Sequence, residues 1–210
     1  LRVRGTPALP DEWPARLLAR AARDDIEPGH YLVLDNPRGT LSGFVFVTDP
    51  VLGVVDGPTG LIRFTYAVGI NGDDVEQMLS WDPLKFAAFV GDRVPLGLTS
   101  TDRAPISADP QDRALLDEAV GSEGASIGAM HARYLEVDAE GRVDLDPAAA
   151  RALLRAARHR LLHGRSFALL NSETWLLLNP QSPTTECASD HVVVPATAAV
   201  SYTHLTLPTI

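Results

Sequence analysis

Three groups of side chains in this 210-residue chain have the chemistry to act on a substrate or hold a ligand. Cys187, with Asp190 and His191 close by, supplies the parts of an activated thiolate. That chemistry needs sulfur and imidazole in contact, with the ring oriented by a third group, and closeness along the chain does not provide it. Cys187 therefore reads as a plain thiol. The most basic cluster is Arg155, Arg158, His159, Arg160, His163 and Arg165. Arginine's forked donors suit anions, but cations at the end of a helix also complement its dipole, which explains the cluster without a ligand. Asp49, Asp56, Asp73, Asp74 and Glu76 are carboxylates of the kind that bind metals, yet no calcium-loop spacing links them. Turns and helix caps account for them. The chain has no phosphate loop, HExxH or paired CxxC. No catalytic, cofactor or metal site is assigned, and an enzyme or small-ligand protein would have to assemble its site from scattered groups such as His131, His163 and Cys187.

Composition narrows the remaining classes. A hydrophobic fraction of 45% supports a buried core in one or two domains. The net charge of −9 opposes nucleic-acid binding, which needs accumulated positive charge. No apolar run approaches the roughly 20 residues that cross a bilayer, so no membrane partner is expected. The single cysteine excludes an internal disulfide framework, and a cytoplasmic setting is the simplest expectation. Lys85 is the only lysine, which hints at a GC-rich bacterial genome.

The best-specified elements lie in residues 43–81. Phe44, Phe46 and Val47 form a β-rich run that stops at Thr48-Asp49-Pro50. A run over residues 52–56 meets another over 61–68 across Gly57-Pro58-Thr59-Gly60, a hairpin connection. In the second run Ile62, Phe64 and Tyr66 share a face. The period then becomes helical, with Asp73 and Glu76 spaced as a capping box, and Val75, Met78, Leu79 and Trp81 forming an apolar side.

Elsewhere, Asp11 is expected to cap a helix with Pro14 in its first turn and Leu17, Leu18, Ala21 and Ala22 on one side. A strand follows over residues 31–34, with a turn at 36–39. Asp82-Pro83 starts another helix, burying Leu84, Phe86, Ala87, Phe89 and Val90. Residues 96–99 and 104–107 read as extended and 110–120 as a helix. The second half reads as a strand over 131–137, a short strand over 142–145, and a helix capped by Asp146 that ends at Gly164. A hairpin through Asn171-Ser172-Glu173 and a strand over 191–194 complete it.

Several of these residues, in order, form a recognisable series: Trp13-Pro14 and Leu17-Leu18 in WPARLL, Gly29-His30 in PGH, Thr48-Asp49-Pro50 in VTDP, Gly57-Pro58 and Gly60 in DGPTG, Phe64, Val68-Gly69-Ile70 in AVGI, and Trp81. The series resembles the Suppressor of fused domain over about half of the chain, from Trp13 to Ile106. The resemblance implies an α+β domain with a mixed or antiparallel sheet and flanking helices over residues 1–109, whose start is missing. The candidate boundary lies in residues 109–128, and the strand-helix-hairpin pattern of residues 110–200 reads by itself as a smaller α+β region. Residues 201–210, SYTHLTLPTI, resemble a translated sequencing artefact, so they are expected to be a non-native tail and His204 is left out of any site.

The resemblance also implies function. The animal member restrains a zinc-finger transcription factor, and bacterial members have been proposed to neutralise toxins as immunity proteins. The expectation is thus a non-enzymatic protein that occludes a protein partner, either a toxin domain or a regulator. Strand addition at a sheet edge is a suitable mode, with Phe64, Tyr66, Asp56 and Arg63 as contact residues. His30 is expected to bond nearby backbone, and Trp13 and Trp81 to be core aromatics. A structural module of a longer protein is the bland alternative.

Overall fold

The computed structural model describes residues 2–3, 12–94, 97–138, 142–181, 186–188 and 191–195. The chain forms two compact units, Leu1–Glu118 and Ala119–Ile210, each of which mixes helices and sheet in an α+β arrangement.

The first unit runs β1 (Arg2–Val3), α1 (Trp13–Arg23), β2 (Tyr31–Arg38), β3 (Leu41–Thr48), β4 (Val54–Gly57), β5 (Gly60–Arg63), β6 (Thr65–Asn71), α2 (Gly72–Ser80), α3 (Pro83–Arg93) and β7 (Leu98–Thr99), and α4 (Pro110–Glu123) leads out of it. β2, β3 and β6 form an antiparallel sheet in that order, with Val45 opposite Tyr31 and Val68. The GFVFV run of β3 is buried at nearly every position because both faces are covered. Phe44, Phe46 and Ala67 pack on Leu17 of α1, while α2 and α3 pack on β3.

In α1, Pro14 sits in the first turn and Trp13, Leu17 and Ala21 face the core. Leu18 and Ala22 point outwards, against expectation, since one residue's advance turns a side chain by about 100° away from that stripe. Glu12 precedes the helix without capping it, and Asp11 lies outside the described residues. β2 continues through the residues expected to turn, so the turn falls at Gly39-Thr40 instead, with Gly39 at φ 61°. In α3, Phe86, Ala87 and Val90 are buried as expected, but Leu84 is exposed.

The α2 cap also differs from expectation. Asn71 takes the extended cap conformation and accepts from the Asp74 N–H at 3.0 Å, while Asp74 reaches back to the Asn71 N–H. The box is therefore Asn71/Asp74, because the chain leaves β6 directly into the helix at Gly72. Asp74 is fully buried and also accepts from the Ile106 N–H at 2.8 Å and from Arg103 at 3.0 Å. Burial pushes its carboxyl above the ordinary range, and the bonds to Ile106, Arg103 and Asn71 pull against that shift. The bond at Ile106 shapes residues 106–108 into a 3-10 turn where an extended segment was expected.

Gly69 in β6 donates to Thr99 Oγ1 at 2.8 Å, and a Cβ there would lie 2.4 Å from Thr99 Cγ2 and 2.7 Å from Leu41 Cδ1. Gly69→Val is expected to cost about 1–3 kcal/mol through overpacking, measured by urea denaturation, and an unchanged midpoint would contradict this packing.

The second unit contains β8 (Ala129–His131), β9 (Leu135–Val137), β10 (Val143–Leu145), α5 (Pro147–His159), β11 (Phe167–Leu170), β12 (Trp175–Asn179), β13 (Glu186–Ala188) and β14 (His191–Pro195). Its five-stranded sheet has the order β13-β14-β12-β11-β8, and β9 pairs separately with β10. Ala149, Ala152 and Ala156 of α5 share a core with Phe167, Leu169 and Leu176. Asn171 shapes the β11–β12 turn by accepting from the Glu173 and Thr174 N–H groups.

The strand expected over residues 131–137 is instead two strands in different sheets. Asp146 explains the break: its carboxylate accepts from Arg133 and Tyr134 N–H groups at 2.8 and 3.2 Å, and from Ala148 and Ala149 at 2.9 and 3.0 Å. The same side chain turns the chain at 133–134 and starts α5. That helix ends before Gly164, which closes a following 3-10 turn, Leu161–His163, at φ 71°.

Burial alone would raise the Asp146 carboxyl, but the N–H groups of Ala149, Tyr134, Arg133 and Ala148 outweigh it and hold the group below its ordinary 3.8. A depressed carboxyl contributes stability that is present above the unfolded value and lost as pH falls through the folded one. The stability gap between the native chain and Asp146→Asn is expected to narrow as pH drops below 3.8. Urea titrations at neutral and acid pH measure it, and a gap that stays constant would contradict the role of the charge.

Candidate functional site

Among the described residues of the first unit, the most exposed apolar surface begins where β3 ends. Asp49 accepts the Val51 and Leu52 N–H groups on its side chain at 2.8 and 3.0 Å, and the Gly53 N–H on its carbonyl at 2.8 Å. Residues 49–53 thus fold into a closed loop. Opposite, Phe64 donates to the Gly53 carbonyl at 3.0 Å and accepts from the Asp49 N–H at 2.8 Å. Phe64 therefore belongs to neither neighbouring strand, and the run expected over residues 61–68 is split into β5 and β6. Beyond this base, β4 and β5 pair with Val54 opposite Arg63 and Gly57 opposite Gly60. The turn holds only Pro58 and Thr59 between the strand ends, with Gly60 at φ 120°.

This β4–β5 hairpin is two strands wide, whereas the sheet that carries it has three. A hairpin alone is marginal in water, and this one is fixed by its base. Val51, Leu52, Val54, Val55, Leu61, Ile62 and Phe64 are all exposed along it, with Leu61 at 76% and Val51 at 74%. Clustered exposure of this kind marks interaction surfaces, whereas scattered apolar residues do not. One hairpin face carries Val54, Asp56, Leu61 and Arg63, and the other Val55 and Ile62. The first face borders an open cleft of about 340 Å³, completed by Asp25, Ile26, Glu27 and Pro28 after α1.

Of the residues expected to contact a partner, Asp56, Arg63 and Phe64 lie on or at the base of this exposed hairpin. Tyr66 does not. It is 6% exposed, and its hydroxyl donates to the Gly97 carbonyl, so it positions β6 and offers no contact surface. Sequence reasoning missed Val51, Leu52, Val54, Val55 and Leu61. Their signal was an apolar run on both sides of GPTG that does not alternate with polar residues.

The scattered groups of the enzyme alternative are not brought together. His131 is in β8 and Cys187 in β13, at opposite edges of the five-stranded sheet. Four strand spacings, about 19 Å at roughly 4.8 Å each, separate those backbones. In the basic cluster, Arg160 donates to the carbonyls of Ser166, Ala125 and Ser126, and Arg165 to that of Glu123. Those arginines satisfy backbone carbonyls at the end of α4 and in the loops before β8 and β11, and do not frame an anion site. Burial, then Arg158, His163 and Arg155, lowers the His159 pKa. Among the described residues no group of three or more His, Cys, Asp or Glu side chains is placed to hold a metal ion. His30 Nδ1 accepts from the Glu27 N–H at 3.1 Å, and Trp13 packs 5.8 Å from Phe44, as expected of structural residues. Trp81 is buried too.

No family model and no curated protein matches the chain. Among solved structures 22 chains match. The crystal structure of Drosophila Suppressor of fused superposes with a TM-score of 0.65 and 18% identity over 93% of this chain. The fold is that of Suppressor of fused. The match spans 64% of the Drosophila chain. A Sufu–Fu complex structure also matches, with a TM-score of 0.42 and 23% identity over 54% of this chain and 53% of that one. The superposed part reaches past Ile106, where the resemblance in sequence ends, and includes residues of both compact units. No helix among the described residues is long and apolar enough to cross a membrane.

Proposed function

We propose that this chain is a non-enzymatic protein-binding module of the Suppressor of fused type, a cytoplasmic immunity or regulatory protein that acts by occluding its partner. The observation that carries the reading is the β4–β5 hairpin, with seven large apolar side chains exposed within residues 51–64 on a base fixed by Asp49, Gly53 and Phe64. Such a surface is costly to leave in water and suits a partner's apolar anchors. Phe64, Arg63 and Asp56 take part as flanking contacts. Tyr66 contributes by holding β6 to Gly97. The fold likeness to Suppressor of fused supports the same reading.

Site-specific crosslinking tests it. A benzophenone amino acid at position 61 is expected to capture a discrete protein from a lysate of the source cells, while the same group at Arg151, an exposed position on α5, captures none. The captured protein, once purified, is expected to bind the native chain and to lose activity in the complex. If it is a toxin, co-expression of the chain restores growth. Equal capture from both positions, or binding without loss of the partner's activity, would overturn the proposal.

A further inference from the structure

The cleft beside the hairpin has a mixed chemistry that narrows what it can take. The cleft surface is mainly polar: the exposed acids Asp25 and Glu27, in the turn after α1, and Thr65 line it together with a narrow aliphatic strip from Val54 and Leu61. Arg63 adds the single cation of the lining, and among the described residues no ion pair joins it to either acid. The lining is therefore net negative beside an apolar strip. Asp25 is held at φ 48°, the only described non-glycine residue with positive φ, which fixes the turn that carries both acids. Opposite faces of an extended peptide alternate along its length. A segment in this cleft would thus meet the aliphatic strip with one set of side chains and the acids with the other.

We infer that the cleft formed by Asp25, Glu27, Val54, Leu61 and Arg63 binds an extended segment of a partner protein in which aliphatic and basic residues alternate. The inference rests on the binding role proposed above and specifies the chemistry of its ligand. Aliphatic side chains bury against Val54 and Leu61, and lysine or arginine pairs with Asp25 and Glu27. Complementary charge across such a rim raises association rate and selectivity, and the aliphatic strip fixes which side chains of the segment turn inwards.

The probe is a fluorescein-labelled peptide of alternating valine and lysine, read by anisotropy against the full chain. Two controls are a peptide of the same composition with its valines and lysines in separate blocks, and an alternating valine–glutamate peptide. The alternating valine–lysine peptide is expected to bind at least about tenfold more tightly than either control. Leu61→Asp is expected to abolish that preference, and the Asp25→Asn/Glu27→Gln pair to weaken binding several-fold and flatten its salt dependence. Asparagine tolerates the positive φ at position 25, and thermal melts of each variant confirm folding. Equal binding of the block peptide, or binding untouched by Leu61→Asp, would overturn the inference. So would self-association of the chain that Leu61→Asp removes, since the cleft would then belong to a second copy. Failure of the peptide with retained position-61 crosslinking would sink this inference alone, and loss of both would sink the binding role as well.

Discussion

Asp74→Ala is expected to be the most damaging single substitution in the first unit, with a loss of about 3–5 kcal/mol that leaves the uncompensated charge of Arg103 partly buried. The carboxylate joins three segments: the α2 cap through Asn71, the loop through Arg103, and the 3-10 turn through Ile106. The side chain is fully buried, so bulk solvent does not reach the donors it serves. Asp74→Asn keeps the shape but turns an N–H₂ group towards one set of donors, so it is expected to fall between alanine and the native chain. Urea denaturation with a probe in the first unit measures both. A loss below about 1 kcal/mol for alanine would mean that the three segments hold without their common acceptor.

The other large effect is on binding and leaves folding nearly untouched. Leu61→Asp combined with Ile62→Asp places charge on both faces of the hairpin, at side chains 76% and 45% exposed. Surface changes of this kind shift stability by about 0.5 kcal/mol or less. A partner that buries both faces would have to desolvate the new carboxylates. Affinity is expected to fall by two orders of magnitude or more, about 2.7 kcal/mol, measured by calorimetry with the crosslinked partner. A similar melting temperature in the variant separates this result from unfolding.

The parts of the fold that short-range chemistry decides were legible in the sequence. Asp82-Pro83 and Asp146-Pro147 start α3 and α5 with cap bonds from the aspartates, and GPTG closes the β4–β5 turn. Asn171 closes the other hairpin. What was not legible depends on residues far away in sequence. The α2 cap was placed on Asp73 and Glu76, but Asp74 is drawn inward by Arg103 and Ile106, 29 and 32 residues later. The break at Phe64 has no local signal, since its backbone bonds go to Gly53 and Asp49. That break misled the site as well. With residues 61–68 taken as one strand, Tyr66 shared a face with Ile62 and Phe64. The structure buries Tyr66 in the sheet and leaves Ile62 and Phe64 exposed on and beside the hairpin. Asp56 and Arg63 were legible as exposed charges, but Leu61, the most exposed apolar group there, was not. Which side of a strand stays in water is set by what packs on it, and α1, α2 and α3 cover β3 and β6 but not β4 and β5.

The central claim is that the hairpin is the partner-binding surface. Crosslinking from position 61 compared with position 151, followed by calorimetry of the captured protein with native chain and with Leu61→Asp, tests it most directly. The account predicts capture from position 61 alone and a complex that Leu61→Asp destroys without lowering the melting temperature. A partner that crosslinks equally from both positions, or that binds Leu61→Asp as tightly as the native chain, would place the interaction elsewhere and contradict the claim.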